Sequence, residues 1–250
     1  MIYPTAQAMG KAAAVATVDL IFAAVAAKGQ ARIMVATGNS QLEFIDALMQ
    51  RDDVPWDRVE AFHMDEYIGI APDHPASFRR WLKVKVETRR KLAKIHYIAG
   101  DASDIDGEIR RYSSLLNAGP IDAAFVGFGE NGHIAFNDPP VANFTDPVSM
   151  KVVPLDRACR HQQVGEGHFK DLDSVPKLAL TVTCSGLLRA NAWISCVPER
   201  RKATAVRQAL LGPISTACPA SIVRKHPRAL IFLDNDSAGD LPEDDRVILG

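Results

Sequence analysis

Residues 125–140 read F-V-G-F-G-E-N-G-H-I-A-F-N-D-P-P, and this stretch decides the fold because an apolar run stops at glycines and leads into a histidine. The run over residues 121–126 is short and is bounded by Gly127 and Gly129, as is typical of a buried strand that ends in a turn. His133 therefore follows the carboxyl end of a strand, where doubly wound sheets place their ligand crevices. The alternative is a packed core histidine in a glycine-rich turn. Polar residues crowd the same loop and favour a functional loop, namely Glu130, Asn131, Asn137 and Asp138.

Outward from this stretch, apolar runs of strand length alternate with segments of helical periodicity. We predict strands over residues 32–36, 59–62, 95–98, 121–126, 178–182, 192–197 and 229–233. We predict helices over residues 12–27, 42–49, from about 77, 105–116 and 203–210. Such alternation is typical of right-handed βαβ units and of a mostly parallel sheet. The sequence therefore predicts an α/β fold, a doubly wound, Rossmann-like single domain over residues 1–250 with helices on both faces of the sheet.

Composition narrows the class of protein. The chain has 250 residues, of which 47% are hydrophobic, and this is enough for a sizeable core. A formal net charge of -1 argues against nucleic acid or an anionic membrane as a partner. The four cysteines form no C-x-x-C pair, so we expect neither a disulfide framework nor a structural zinc site. The apolar segment 12–27 is interpreted as a helix too short to span a bilayer, and we expect a cytoplasmic protein.

A second candidate site is the tetrapeptide Thr37-Gly38-Asn39-Ser40, where a strand turns directly into a helix. Such a turn leaves backbone N–H groups and the positive end of the helix dipole facing outward, so an anion could bind there. An ordinary N-cap supplied by Asn39 or Ser40 explains the same residues. The tetrapeptide alone does not decide between the two interpretations.

Two further charged segments follow predicted strands. His63-Met64-Asp65-Glu66-Tyr67 places a carboxylate pair at a strand's carboxyl end, and on an extended chain only one of Asp65 and Glu66 enters a cleft. A metal site using His63 and Asp65 lacks a third ligand at a recognisable spacing, so we predict no metal. Residues 199–202 read E-R-R-K, and one of these cations could clamp an anion, although a solvated helix start is the simpler interpretation.

Taken in order, these motifs resemble one family of enzymes. The chain shows T-G-N-S at 37–40, H-M-D-E-Y-I-G at 63–69, H-P-A-S-F at 74–78, G-F-G-E-N-G-H-I-A-F-N-D at 127–138 and A-L-T-V-T-C-S-G-L-L at 179–188. This order, followed by the helix at Lys202, resembles glucosamine-6-phosphate deaminases over residues 31–233. The related 6-phosphogluconolactonases usually show D-E-R where residues 65–67 read D-E-Y, so the deaminase branch is the closer match.

The resemblance implies a role for each matching residue. It implies that the loop 37–40 and Lys202 bind the sugar phosphate, and that Asp65 moves a proton between C1 and C2 of the open-chain sugar. It implies that His133 assists ring opening while Asp138 orients and polarises the imidazole. No metal or organic cofactor is implied.

The chain also departs from the family's pattern. Asn131 and Asp138 stand where typical deaminases have aspartate and glutamate, which shortens the acid and removes one charge from the ring-opening group. An arginine that helps to hold the phosphate has no clear match, because Glu166 lies near its expected place. Arg160 could substitute for that arginine from nearby.

The expected function is conversion of an amino-sugar 6-phosphate into a ketose phosphate and ammonia by acid–base isomerisation. The expected partner is a small phosphorylated amino sugar, and a homo-oligomer is possible. Two alternatives remain open at this point. One is hydrolysis of a phosphosugar lactone, in which His133 would activate water, and the other is a sugar-phosphate sensor without turnover.

Overall fold

The computed structural model describes residues 1–244, and residues 245–250 of the predicted domain lie outside the described residues. The strands are β1 (Ile2–Tyr3), β2 (Ala31–Val35), β3 (Val59–His63), β4 (Asp65–Tyr67), β5 (Lys94–His96), β6 (Ala123–Phe125), β7 (Met150–Pro154), β8 (Leu178–Val182), β9 (Trp193–Val197) and β10 (Ala229–Asp234). The helices are α1 (Ala6–Lys28), α2 (Leu42–Met49), α3 (Phe78–Leu82), α4 (Ile105–Asn117), α5 (Arg157–Gly165), α6 (Cys184–Leu188) and α7 (Ala203–Leu211).

Seven strands form one parallel sheet in the order β1-β10-β9-β6-β2-β3-β5. The chain builds β2, β3 and β5 towards one edge and then β6, β9 and β10 towards the other edge. The order therefore reverses between β2 and β6, which is the topological switch point where doubly wound sheets bind ligands. The predicted fold class is confirmed.

The sheet has a core on each face, because alternate strand residues point to opposite sides. On one face Ile33, Ala61 and Phe125 pack with α1 and α2. On the other face Met34 and Phe62 pack with residues of α4, α6 and α7. All five residues of β2 and of β9 are buried, as expected for central strands covered on both faces.

A second, smaller sheet was not predicted. Its strands β4, β8 and β7 pair antiparallel in that order, with Asp65 opposite Thr181 and Val152 opposite Leu180. The prediction that residues 178–182 continue the βαβ alternation is therefore wrong. A short apolar run indicates a buried strand but carries no information on the direction of its partners.

Helix α1 is longer than predicted. It begins after Thr5, whose side chain accepts a hydrogen bond from the Ala8 N–H, and it ends at Gly29 in the left-handed conformation. With 23 residues and a mean hydropathy of 1.6 in its most apolar window, it is long and apolar enough to cross a membrane, so the prediction that it is too short is wrong. Half of that window is buried against the rest of the fold, as in a core helix.

Candidate active site

A cleft lies at the carboxyl ends of β9, β6, β2 and β3, which are neighbours in the sheet. The loops after these four strands meet there because all four strands point the same way. The cleft contains the predicted residues Thr37, Gly38, Asn39, Ser40, Asp65, His133 and Lys202. Four separate sequence motifs therefore form one site.

The loop after β2 is open to an anion. A short 3₁₀ turn, Asn39–Gln41, leads into α2, and neither segment has a side-chain cap. The simpler interpretation, an N-cap by Asn39 or Ser40, is therefore wrong, and the first N–H groups of this turn remain available. The Gln41 amide donates to Ser40 Oγ (3.2 Å) and to the Cys196 carbonyl (3.1 Å), which ties the loop to β9.

Lys202 is the cation of residues 199–202 that faces this loop. Its side chain is buried and lines the cleft, and no hydrogen bond or ion pair to it is found within residues 1–244. Burial lowers its pKa, because an ammonium group loses hydration in a desolvated site. By contrast, Arg200 pairs with Asp240, and Arg201 pairs with Glu130, Glu166 and Glu199.

The turn that presents Lys202 is strained and is anchored by a carboxylate. Glu199 has φ 82°, a left-handed conformation that costs a side-chain-bearing residue free energy. The buried Asp234 carboxylate accepts from the Glu199 N–H at 3.2 Å and from the Ser237 N–H at 2.8 Å. The end of β10 therefore holds the turn that aims the lysine.

Replacing Asp234 by asparagine should weaken phosphate binding through Lys202. The amide offers one acceptor where two carboxylate oxygens meet N–H donors, and a lost charge-assisted bond is worth roughly 1.5–3 kcal/mol. We expect KM for a sugar phosphate to rise about tenfold with kcat nearly unchanged, measured by steady-state kinetics. Asp236→Asn, at an exposed position on the same turn, is the matched control. An unchanged KM in Asp234→Asn would show that this carboxylate does not position Lys202.

Asp65 is the carboxylate that enters the cleft. It is 6% exposed, and burial, together with the neighbouring charge of Glu66, raises its pKa well above the usual range of a carboxyl group. Glu66 faces the other way and accepts from Ser77 Oγ (2.8 Å) and the Arg79 N–H (3.0 Å) at the start of α3. The prediction that only one of the pair enters the cleft is confirmed.

His133 belongs to a hydrogen-bonded cluster in the loop after β6. Its Nδ1 lies 2.7 Å from Asn131 Oδ1 and 3.0 Å from Asp138 Oδ1, and Asn131 Nδ2 donates to the same Asp138 oxygen at 3.0 Å. Burial opposes ionisation of Asp138, but the bonds from His133 and Asn131 outweigh it and lower the pKa of this carboxyl. Two acceptors at Nδ1 favour the tautomer with hydrogen there, which leaves Nε2 as the basic nitrogen.

Gly129 packs directly against the imidazole. A Cβ at this position would overlap His133 Cε1 and Nε2, so no other residue fits without moving the ring. The same loop holds Ala135 at φ 48°, and Ala135 and Glu199 are the two non-glycine residues with positive φ among residues 1–244. Both strained positions lie beside the cleft, as is common at functional sites.

Replacing Gly129 by alanine should displace the His133 ring and reduce kcat. A misplacement of about 1 Å in a catalytic group costs on the order of 10²-fold in rate. We expect a loss of this size, measured as kcat on the substrate tested below, with the far-UV circular dichroism of the wild type. Gly165→Ala is the matched control, because a Cβ there meets no atom within 4 Å. Equal kcat values for the two variants would contradict this packing.

The small sheet supports both reactive side chains. Asp65 is paired with Thr181 across β4 and β8, and Thr181 Oγ1 accepts from the Phe136 N–H (3.1 Å) in the His133 loop. The Asn137 amide donates to the Val182 carbonyl at 2.9 Å. One strand therefore fixes the carboxylate and the imidazole relative to each other, as a preformed acid–base site requires.

One wall of the cleft comes from a segment in which we predicted no helix. Helix α5 and the residues after it supply Gln162, Gln163, Glu166 and His168. Burial opposes ionisation of Glu166, but bonds to His168 and Gln162 hold its pKa at about 2. Arg160 points elsewhere and donates to the Leu172 and Val175 carbonyls, so the prediction that it replaces the missing arginine is wrong.

The histidine, aspartate and cysteine side chains near the cleft form hydrogen bonds or stay protonated, which does not suit metal coordination. His63 is buried outside the cleft, its Nε2 accepts from the Ile98 N–H at 2.8 Å, and burial lowers its pKa to about 3. Within residues 1–244, one set of three such side chains has ligand atoms within 4.8 Å of one another: His133, Asp138 and Cys159. Burial raises the pKa of the Cys159 thiol well above its usual range, which disfavours the thiolate that a metal would need.

Fold and cleft together define a Rossmann-like α/β protein whose cleft, at the switch point of its sheet, contains a buried carboxyl group, an imidazole and a buried lysine. The chain belongs to the family described as glucosamine-6-phosphate isomerases/6-phosphogluconolactonase, whose sequence model matches residues 4–232.

Individual relatives show how close the match is. The chain is 30% identical over 204 residues to a glucosamine-6-phosphate deaminase of Listeria innocua, which covers 82% of this chain and 85% of the relative. It is similar to the solved structure of a monomeric glucosamine-6-phosphate deaminase, with TM-score 0.86, 29% identity and coverage of 96% and 98% of the two chains. A putative 6-phosphogluconolactonase of Neisseria gonorrhoeae has TM-score 0.74 at 18% identity, over 94% and 98% of the chains, and therefore shares the fold.

Proposed function

We propose that the protein is a glucosamine-6-phosphate deaminase, which converts an amino-sugar 6-phosphate and water into the ketose phosphate and ammonia. The observation that carries this proposal is the meeting of Asp65, His133 and Lys202 in one cleft with the open loop 37–40. Deaminase relatives at 29–30% identity over most of the chain support the same reaction. We place it in the cytoplasm, as its four buried free cysteines suggest.

The phosphate group anchors the substrate in the cleft. The loop 37–40 and the Lys202 side chain, for which no hydrogen-bond or ion-pair partner is found within residues 1–244, line the cleft together and would bind the phosphate. An anion held there places the rest of a hexose towards Asp65 and His133. Such fixed positioning lowers the entropic part of the barrier, because the reacting groups no longer have to meet by diffusion.

His133 opens the sugar ring. Its Nε2 takes the proton of the C1 hydroxyl and returns a proton to the ring oxygen as the C1–O5 bond breaks, which leaves an aldehyde at C1. Asp138 and Asn131 hold the ring through Nδ1 and stabilise the imidazolium that forms. The pair resembles other histidine–carboxylate arrangements in which the carboxylate fixes the tautomer.

Asp65 then moves the proton between the two carbons. Its carboxylate removes the proton from C2 while the substrate's ammonium group gives a proton to O1, which forms an enolamine. The carboxyl group then delivers its proton to C1, which leaves an iminium at C2. Water adds to the iminium, and ammonia leaves as the ketone forms. Burial raises the pKa of Asp65, and a carboxyl group tuned towards neutrality is suited to accept and donate a proton in turn.

The deciding experiment is a screen of phosphorylated hexosamines for ammonia and ketose phosphate, run beside 6-phosphogluconolactone. We expect glucosamine 6-phosphate to yield both products in equal amounts and the lactone to be hydrolysed no faster than in buffer. Acid release from the lactone alone would identify a lactonase. Thermal stabilisation by the sugar phosphate without product would identify a sensor. The solved relative is a monomeric deaminase, so it gives no support to the homo-oligomer that the sequence analysis left possible.

A further inference from the structure

Positive charge is scarce at the phosphate end of the cleft. Among the cleft residues, the side chains that carry or can accept a positive charge are Lys202, His133 and His168. A phosphate monoester carries a charge of about -1.5 to -2 at pH 7. With His133 engaged at the sugar ring, Lys202 alone leaves this charge only partly balanced.

The same wall also contains a negative charge. The Glu166 side chain is 8% exposed, and its carboxylate is ionised because its pKa is about 2. Its partners are Gln162 Nε2 at 2.8 Å, Arg201 Nη1 at 3.1 Å and His168 Nε2 at 3.3 Å. Arg201 also pairs with Glu130 (3.0 Å) and Glu199 (2.6 Å). These carboxylates already neutralise its charge, so it would attract a ligand's phosphate only weakly. A phosphate beside Glu166 would be repelled unless another cation stood between them.

His168 lies where that cation is needed. It lines the cleft with Lys202 and the loop 37–40, and its Nε2 faces the Glu166 carboxylate. When this ring is protonated, both of its nitrogens donate hydrogen bonds. Nε2–H is then used by Glu166, and Nδ1–H remains for a second acceptor.

We propose that His168, protonated and held by Glu166, supplies the second cationic contact to the substrate's phosphate. This role rests on the proposed function and deepens it. It means that the wall formed by α5 and the residues after it makes the enzyme prefer phosphorylated sugars. Glu166 is a positioning residue in this arrangement. It fixes the imidazolium and does not touch the ligand.

The test compares His168→Gln with the wild type in binding and turnover. Calorimetric titrations use glucosamine 6-phosphate, glucosamine and inorganic phosphate as probes. We expect His168→Gln to weaken binding of both phosphate-bearing probes by about 10- to 100-fold, to leave glucosamine binding unchanged and to keep kcat within about threefold. His168→Arg should restore much of the loss. His161→Gln, at an exposed position on α5, is the control.

The outcomes separate this proposal from the proposed function. If the wild type binds no phosphohexosamine, the proposed function fails. If the wild type binds glucosamine 6-phosphate and His168→Gln binds it equally well, the role of His168 is overturned and the deaminase proposal stands. Should His168→Gln fold poorly, the ¹⁵N signals of the His168 imidazole in the wild type decide. Saturating inorganic phosphate must bring both nitrogens to the protonated state, and unchanged signals from a neutral ring would overturn the role.

Discussion

Asp65→Asn is expected to lower the turnover of glucosamine 6-phosphate by roughly 10²–10⁴-fold, the usual loss when a positioned acid–base group is removed. The amide has the shape of the carboxyl group but cannot take the proton from C2. Binding should survive, because the substitution leaves the proposed phosphate ligands, the loop 37–40 and Lys202, unchanged. Steady-state rates of ammonia release, with substrate affinity measured by calorimetry, check both parts. Glu66→Gln is an unsuitable control, because Glu66 caps α3.

The same substitution should make the protein more stable at neutral pH. The unfolded carboxyl group titrates near pH 3.9, whereas burial raises the pKa of Asp65 well above this in the folded protein. The native state therefore loses stability as the pH rises from the unfolded pKa through the folded one, and asparagine removes that cost. We expect a higher Tm for Asp65→Asn at pH 7, by roughly 2–4 °C per kcal/mol gained, and nearly equal Tm values below about pH 4. A lower Tm at pH 7 would contradict the burial of this charge.

His133→Gln should also reduce turnover by two orders of magnitude or more, because a glutamine amide cannot move the proton from the C1 hydroxyl to the ring oxygen. Ring opening is the step affected. An open-chain hexitol phosphate, which needs no opening, should therefore bind the variant as it binds the wild type. Wild-type turnover by His133→Gln, or loss of hexitol phosphate binding, would show that His133 acts elsewhere in the reaction.

Asp138→Asn tests the same step with a milder change. It keeps a hydrogen-bond acceptor near His133 Nδ1 and removes the charge that stabilises the imidazolium. We expect kcat between those of the wild type and His133→Gln.

The sequence located the site because of a general property of parallel sheets. Each of the motifs at 37–40, 65 and 133 follows an apolar run, and the carboxyl ends of parallel strands share one edge. Asp65 and Glu66 were assigned opposite directions from strand geometry alone, and the structure agrees. These predictions need only the period of the backbone and the direction of the strands.

The rest of the site depends on contacts that no local pattern encodes. Strand β4 has three residues and follows β3 after one residue, so the change of sheet at Met64 has no periodic signal. Helix α5 reads R-A-C-R-H-Q-Q-V-G and lacks an apolar stripe wide enough to indicate a helix. Helix α5 and the presence of His168 in the cleft were therefore not predicted, although the family resemblance places Glu166 near the phosphate site. A cluster of polar residues in a segment otherwise unassigned was the signal available.

The central claim is that Asp65 drives isomerisation with loss of the amino group from a phosphorylated amino sugar. Its most direct test follows ammonia and ketose phosphate together by NMR, with glucosamine 6-phosphate supplied to the wild type and to Asp65→Asn under identical conditions. We predict equimolar ammonia and fructose 6-phosphate from the wild type and at least 100-fold slower formation of both by the variant. Absence of ammonia from the wild-type reaction, or equal rates for the two proteins, would contradict the account.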